Sequence, residues 1–188
     1  NDWMRAEYLV YHSGLDMVYP RRKHRPLPEK VSLIVFDFDG VLTDNRVWVD
    51  ENGHEMVAAN RSDSMGIREL RARGVNSMVL STEVNPVVTA RCKKMGVPVM
   101  QGVEKKDIVL KKYLQENHIN PEEVIFVGND INDLPCFDVV SCALVVADAQ
   151  TQALHEADIV LNRRGGHGAV RELCDVIMQR LDAAAGGK

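Results

Sequence analysis

No apolar run in this chain approaches the roughly 20 residues that a helix needs to span a bilayer, so no membrane partner is expected. Cysteine is scarce and scattered: Cys92, Cys136, Cys142 and Cys174 show no CxxC spacing. That arrangement offers neither a zinc site nor a disulfide framework, and it points to four reduced, buried thiols in a cytoplasmic protein. Excess positive charge is also missing, the net charge being −4, which argues against a nucleic-acid partner. There is no internal repeat. The first residues carry neither an initiator Met nor the charged-then-apolar layout of a signal peptide, and the expectation is a piece of a longer chain. What is present is 188 residues, 45% hydrophobic and 27% charged. This is the balance of an ordinary globular domain with a sizeable core and an appendage.

The appendage, residues 1–30, comes first. Trp3, Met4, Ala6, Leu9 and Val10 fit one face of a helix that Gly14 ends. A stretch rich in proline and basic residues follows at 19–28; it reads as a solvated, extended linker, with a nuclear address or nucleic-acid contact as the alternative. The domain proper is expected over 31–182, with 183–188 a frayed tail. Its first element is the apolar run 31–36, a strand buried on both faces. Residues 46–50 and 54–58 bracket Asn52 and Gly53, a hairpin signal because both turn residues tolerate positive φ. Asp63 is placed to cap a helix reaching Arg73, with Met65, Ile67 and Leu70 turned inward. From there strands at 75–80, 97–100, 124–127, 143–146 and 159–161 alternate with helices, including 104–117 on Ile108, Leu110, Tyr113 and Leu114, and a last one at 169–181. Such alternation implies an α/β, three-layer, Rossmann-like parallel sheet with helices on both faces, the hairpin forming a small flap.

Ligands of such sheets bind beyond the carboxyl ends of the strands. The ends marked here are Asp37 and Asp39, Ser81 and Thr82, and Asn129 and Asp130. Residues two apart on an extended chain point to the same side, so Asp37 and Asp39 can face one site. Two carboxylates that close repel unless a cation or a shared proton compensates. Gly40 lets the backbone turn and approach a ligand. The reading is a metal-dependent site; the bland alternative is a polar strand end with solvated aspartates.

The ordered set, Asp37, Asp39 and Gly40 with Leu42 and Thr43, then Ser81, then Lys106 at a helix start, then Gly128, Asn129, Asp130, Asn132 and Asp133, resembles the haloacid dehalogenase superfamily of phosphohydrolases. With a hairpin in place of a large cap, and with residues 101–106, it resembles the branch that cleaves 8-phosphates or 9-phosphates of keto-deoxy sugar acids. That resemblance implies an Mg²⁺-dependent phosphomonoesterase. Asp37 would be the nucleophile, forming an aspartyl phosphate, and Asp39 the acid and then the base. Asp37, the Asp39 carbonyl and Asn129 would hold Mg²⁺. Asp130 would support them electrostatically and Asp133 would orient metal-bound water. Gly40, Ser81, Thr82 and Lys106 would hold the phosphoryl group. Asn129 stands where many relatives have Asp, which implies weaker metal affinity. Ser64 stands where relatives often have Gly, beside Arg61 and Asp63, the expected substrate contacts.

The segment 165–172 resembles one that approaches a neighbour's active site in the tetramers of this branch. It makes Arg163, Gly165, Gly166 and His167 candidate substrate contacts and a homotetramer the expected assembly, against the plainer reading of a flexible helix start. Residues 2–7 resemble the closing helix of CMP-sialic acid synthetases, the acylneuraminate cytidylyltransferases, some of which carry a phosphatase-like domain fused behind them. Two functions follow. The leading one is hydrolysis of a nonulosonate 9-phosphate or a 3-deoxy-octulosonate 8-phosphate; the rival is a weakly active or inactive oligomerisation module of such a synthetase.

Overall fold

The computed structural model describes residues 24–186. The helix expected before Gly14 and the resemblance of residues 2–7 fall outside them. The first apolar run forms β1 (Leu33–Phe36), every residue of which is buried. Parallel partners flank it on both sides, β4 (Asn76–Leu80) and β6 (Val124–Gly128), with Leu33 level with Asn76 and with Val124. A strand bonded on both edges and covered on both faces takes apolar side chains throughout, hence the unbroken Leu33, Ile34, Val35, Phe36. Beyond these lie β5 (Val99–Met100) on one side and β7 (Cys142–Val145) and β8 (Ile159–Val160) on the other, giving the order β5-β4-β1-β6-β7-β8. The chain moves outward from β1 to β5, then returns to β6 and moves the opposite way. That reversal opens a crevice at the carboxyl ends of β1 and β6, where Asp37 and Asn129 follow.

Among the described residues six α-helices surround the sheet: α1 (Arg61–Ala72), α2 (Val87–Met95), α3 (Lys106–Glu116), α4 (Leu134–Phe137), α5 (Thr151–Glu156) and α6 (Ala169–Gly186). α1 and α6 cross closely because Gly66 has no side chain; a Cβ there would stand 2.8 Å from Cys174 Cβ. That crossing turns α1 so that Asp63, Gly66, Ile67 and Leu70 face inward, while Met65 lies on the exposed flank. The cap of α1 is Asn60, whose side chain accepts from Ser62 N at 2.9 Å, and Asp63 sits within the first turn. On α3, Leu110 and Leu114 are buried but Ile108 is exposed. α6 continues to Gly186, past the expected end at Leu181, since the alanines 183–185 are strong helix formers.

Two irregular pieces frame the domain. β2 (Thr43–Val49) and β3 (Glu55–Ala59) make the antiparallel hairpin, closed by Asp50, which accepts from Asn52 N and His54 N at 2.9 Å each. Val47, Trp48, Val49 and Met56 are exposed on it. The end of the linker is docked, unlike the solvated connector expected. Arg25 Nε and Nη2 reach the Asp158 carboxylate at 2.9 and 2.7 Å, and its Nη groups donate to Val140 O and Phe137 O. The Asp158 side chain is fully enclosed at the amino end of β8, and a buried carboxylate demands such a partner. All four cysteines are free and buried. Among the described residues no helix is long and apolar enough to cross a membrane.

Candidate active site

The β1 ladder runs right up to the first aspartate, whose N–H donates to Val127 O at 2.9 Å. Asp37 Oδ1 accepts from Phe38 N at 2.7 Å and from Lys106 Nζ at 2.8 Å. Lys106, the first residue of α3 and 1% exposed, also donates to Asp133 Oδ1 at 2.7 Å. The second Asp133 oxygen accepts from Asn129 N at 2.9 Å and Asp130 N at 3.3 Å. One buried ammonium thus ties the end of β1 to the turn after β6. Gly128 permits this, because a Cβ there would stand 2.4 Å from Asp133 Oδ2.

Burial, then the Asp133 charge, push the Asp37 carboxyl up to about 7 against the pull of Lys106. Burial disfavours the charge on Lys106 too, but Asp37 and Asp133 outweigh it and its pKa lies above the ordinary value. Asp39 is raised as well, by burial first and then by the charges of Glu83 and Glu55. One of its oxygens accepts from Thr43 Oγ1 at 3.3 Å.

Asp37 and Asp39 line a cleft of about 310 Å³ with Asn45, Ser81, Thr82, Asn129, Asp130, Ile131 and Asn132, and Lys106 lies buried behind Asp37. Ser81 is buried, and its Oγ accepts from Glu83 N at 3.1 Å, which leaves its hydroxyl hydrogen free to donate into the cleft. Gly40 (φ +79) packs against Asn129 so closely that a Cβ would stand 2.0 Å from the amide. Its N–H is taken by Thr43 Oγ1 at 3.1 Å. A second hollow of about 330 Å³ lies under the hairpin, sharing Asp39, Asn45 and Thr82 and adding Arg46, Glu55 and Glu83 with three valines.

The donor set around Asp37 is one of oxygens. One end of the Asn129 amide lies 3.0 Å from Asp39 O and 3.3 Å from Asp37 Oδ2. With the amide oxygen on that side, three oxygens from a carboxylate, a main-chain carbonyl and an amide converge, a chemistry that suits Mg²⁺. Among the described residues no group of three His, Cys, Asp or Glu side chains offers an alternative. The residues present therefore fit such an ion through mixed oxygen donors.

The other expected contacts lie elsewhere. Asp63 is buried between α1 and α6, and its Oδ1 accepts from Arg171 N at 2.9 Å; it does not line the cleft. Arg61 is exposed at the start of α1. Ser64 Oγ accepts from Arg91 Nη2 at 2.8 Å. Gly165 and Gly166 pack against this chain's own loop after Asp39: a Cβ on Gly165 would stand 1.8 Å from Gly40 O, and Gly166 N donates to Val41 O at 3.0 Å. Arg163 and His167 are exposed beside them, and His167 Nδ1 bonds Gly165 O at 2.7 Å. No role was read for Thr43, Asn45, Glu55, Glu83 or Asn132. The only signal for Thr43 was its place in the aspartate motif, and Glu55 and Glu83 carried none.

Residues 80–173 match the family described as haloacid dehalogenase-like hydrolase. The chain is 35% identical over 162 residues to 3-deoxy-D-manno-octulosonate 8-phosphate phosphatase KdsC of Salmonella typhi, covering 84% of this chain and 86% of that one. It is 30% identical to N-acylneuraminate cytidylyltransferase A of Danio rerio over 93% of this chain and 43% of that protein. Among solved structures, 3-deoxy-D-manno-octulosonate 8-phosphate phosphatase from Moraxella catarrhalis, in complex with a magnesium ion, a phosphate ion and a KDO molecule, is similar with a TM-score of 0.77. It is 25% identical, over 84% of this chain and 92% of that one. With an aspartate pair at the end of the central strand, a buried lysine against it and these relatives, the chain belongs to the haloacid dehalogenase-like hydrolases and is a phosphatase of that superfamily.

Proposed function

We propose that this chain hydrolyses the phosphomonoester of a keto-deoxy sugar acid, a nonulosonate 9-phosphate or a 3-deoxy-octulosonate 8-phosphate, with Mg²⁺ held by Asp37, the Asp39 carbonyl and Asn129. The observation that carries this reading is the buried Lys106 ammonium wedged between Asp133 and Asp37, the latter lining a polar cleft. An Asp37 oxygen attacks phosphorus, the ester bond breaks, and the leaving alkoxide takes the proton of Asp39, whose raised pKa suits it to donate. Asp39 then removes a proton from the attacking water, the acyl phosphate bond breaks at phosphorus, and inorganic phosphate leaves with Asp37 restored. Lys106 and the Ser81 hydroxyl hold phosphoryl oxygens, with Thr82 and the Gly40 N–H beside them once Thr43 releases it. What a bound Mg²⁺ supplies is positive charge that favours ionised Asp37 and offsets the charge of the phosphoryl oxygens.

The substrate class is supported by the names of the relatives and by the polar hollow under the hairpin, where Glu55 and Glu83 can accept hydroxyl hydrogens of a polyol and Arg46 can meet a carboxylate. A homotetramer is supported by exposed Val47, Trp48, Val49 and Met56, a surface that a neighbouring copy would cover. The cytidylyltransferase match and the amide at 129 favour a second reading, a weakly active module of a longer synthetase. Phosphate release from neuraminate 9-phosphate and 3-deoxy-octulosonate 8-phosphate, measured with Mg²⁺ for the wild type beside Asp37→Asn, separates the two. The expected loss is at least 10³-fold; equal, negligible release by both proteins supports the module.

A further inference from the structure

The Asn129 carboxamide is hemmed in. One end faces only acceptors, Asp39 O at 3.0 Å and Asp37 Oδ2 at 3.3 Å, and its other end faces only donors. Nitrogen on the Asp37 side therefore satisfies both ends at once: N–H₂ donates to the two oxygens, and Oδ1 accepts on the far side. Oxygen on the Asp37 side satisfies neither end, and a cation among the three oxygens would satisfy that end alone. The side chain is buried, and Gly40 presses on it, so it has no third option in solvent. Amide oxygen and nitrogen are nearly the same size, and exchanging them by a half-turn needs no repacking. An ionised aspartate at this position has no donor to offer and presents oxygen whichever way it turns.

We infer that Asn129 is a two-way ligand: its N–H₂ bridges Asp37 and Asp39 when no metal is bound, and a half-turn about Cβ–Cγ presents Oδ1 to the metal. This rests on the reading that Mg²⁺ binds here. It goes further by giving the amide a task in the metal-free protein, that of a built-in stand-in for the cation. Metal affinity is then lowered twice, once by the missing negative charge and once by the hydrogen bonds to Asp39 O and Asp37 Oδ2 that the turn breaks. In return the cleft keeps its shape without metal.

The test uses the whole chain labelled with ¹⁵N, with no substrate. In EDTA the Asn129 side-chain N–H₂ pair, identified by its loss in Asn129→Asp, is expected to exchange with water at least tenfold more slowly than that of exposed Asn52. Saturating Mg²⁺ is expected to shift the pair and speed its exchange. By thermal melting, Asn129→Asp is expected to be less stable than wild type in EDTA, to gain more from Mg²⁺, and to bind it at least tenfold more tightly. The inference is overturned by a pair in EDTA that exchanges as fast as Asn52, by a variant as stable as wild type in EDTA, or by Mg²⁺ that moves neither protein. Failure to hydrolyse any sugar acid phosphate with these signatures intact would sink the proposed substrate and leave the two-way amide standing.

Discussion

Replacing Arg25 by Ala is expected to cost about 3 kcal/mol of folding free energy, although the residue lies in a stretch whose composition reads as linker. Its guanidinium meets three acceptors, the Asp158 carboxylate, Val140 O and Phe137 O. Breaking a buried ion pair from one side costs about 3–5 kcal/mol, because the other charge is left enclosed. Two features put Arg25 at the lower end. Its side chain is 31% exposed, and Asp158 keeps two main-chain donors, Arg25 N at 3.0 Å and Ala143 N at 2.7 Å. For a chain of this length a loss of that size lowers Tm by about 6–12 °C. The assay is equilibrium unfolding in urea of Arg25→Ala, Asp158→Asn and the double variant. The double variant should lose less than the sum of the singles, the pair having been removed together. Phosphate release at low temperature should not change, since the clamp lies at the amino end of β8 and the cleft at the opposite ends of the strands. A midpoint for Arg25→Ala within about 0.5 kcal/mol of wild type, the scale of a surface substitution, would refute the reasoning.

Burial raises Asp63 to about 6. Its contribution to stability is therefore complete below pH 4 and is lost as the pH rises through 6, a change of about 3 kcal/mol relative to Asp63→Asn; parallel stability–pH curves for the two proteins would contradict it. Gly53 and Gly166 both have positive φ, but a Cβ on Gly53 meets nothing within 4 Å whereas one on Gly166 stands 2.4 Å from Asp44 N. Gly53→Ala should cost only the conformational strain of about 1–2 kcal/mol with turnover kept, and Gly166→Ala should lose more stability and at least tenfold in kcat. Equal effects in melts and initial rates would disprove the close approach. Trp48→Ser with Val49→Ser is expected to convert the proposed tetramer to smaller species in sedimentation, and a wild type that sediments as a monomer, or an assembly unchanged in the variant, would remove the hairpin from the interface.

The parallel sheet was legible because its strands are short and wholly apolar and turn abruptly into polar ends, so that Phe36 followed by Asp37 marks both an element and a site. The aspartate pair, Ser81 and Asn129 stand out in the sequence for the same reason, each lying where a strand stops, and Lys106 stands out where a helix starts. Asp63 was misread because an acidic residue early in a helix has two uses. Here it closes the start of another helix, α6, 108 positions on, and only the three-dimensional crossing at Gly66 reveals that. Arg25 was hidden in the same way, since a basic residue among prolines looks solvated until an enclosed aspartate from a distant strand is found beside it. Glu55 and Glu83 lie on a flap and a loop that no periodicity distinguishes.

The contact of Gly165 with Gly40 has a consequence for the order in which the protein becomes an enzyme. A ribosome makes Asp37, the proposed nucleophile, and its loop early, but the Gly165 backbone that packs against the loop is made 125 residues after Gly40. Until then the turn is held on the Lys106 and Asn129 side alone, and long-range contacts of this kind form late and slowly. A chain stopped before residue 165 would carry Asp37, Asp39, Ser81, Lys106 and Asn129 and still lack the brace. Catalysis would therefore report that synthesis has passed residue 166, and prematurely terminated chains would release no working phosphatase into the substrate pool.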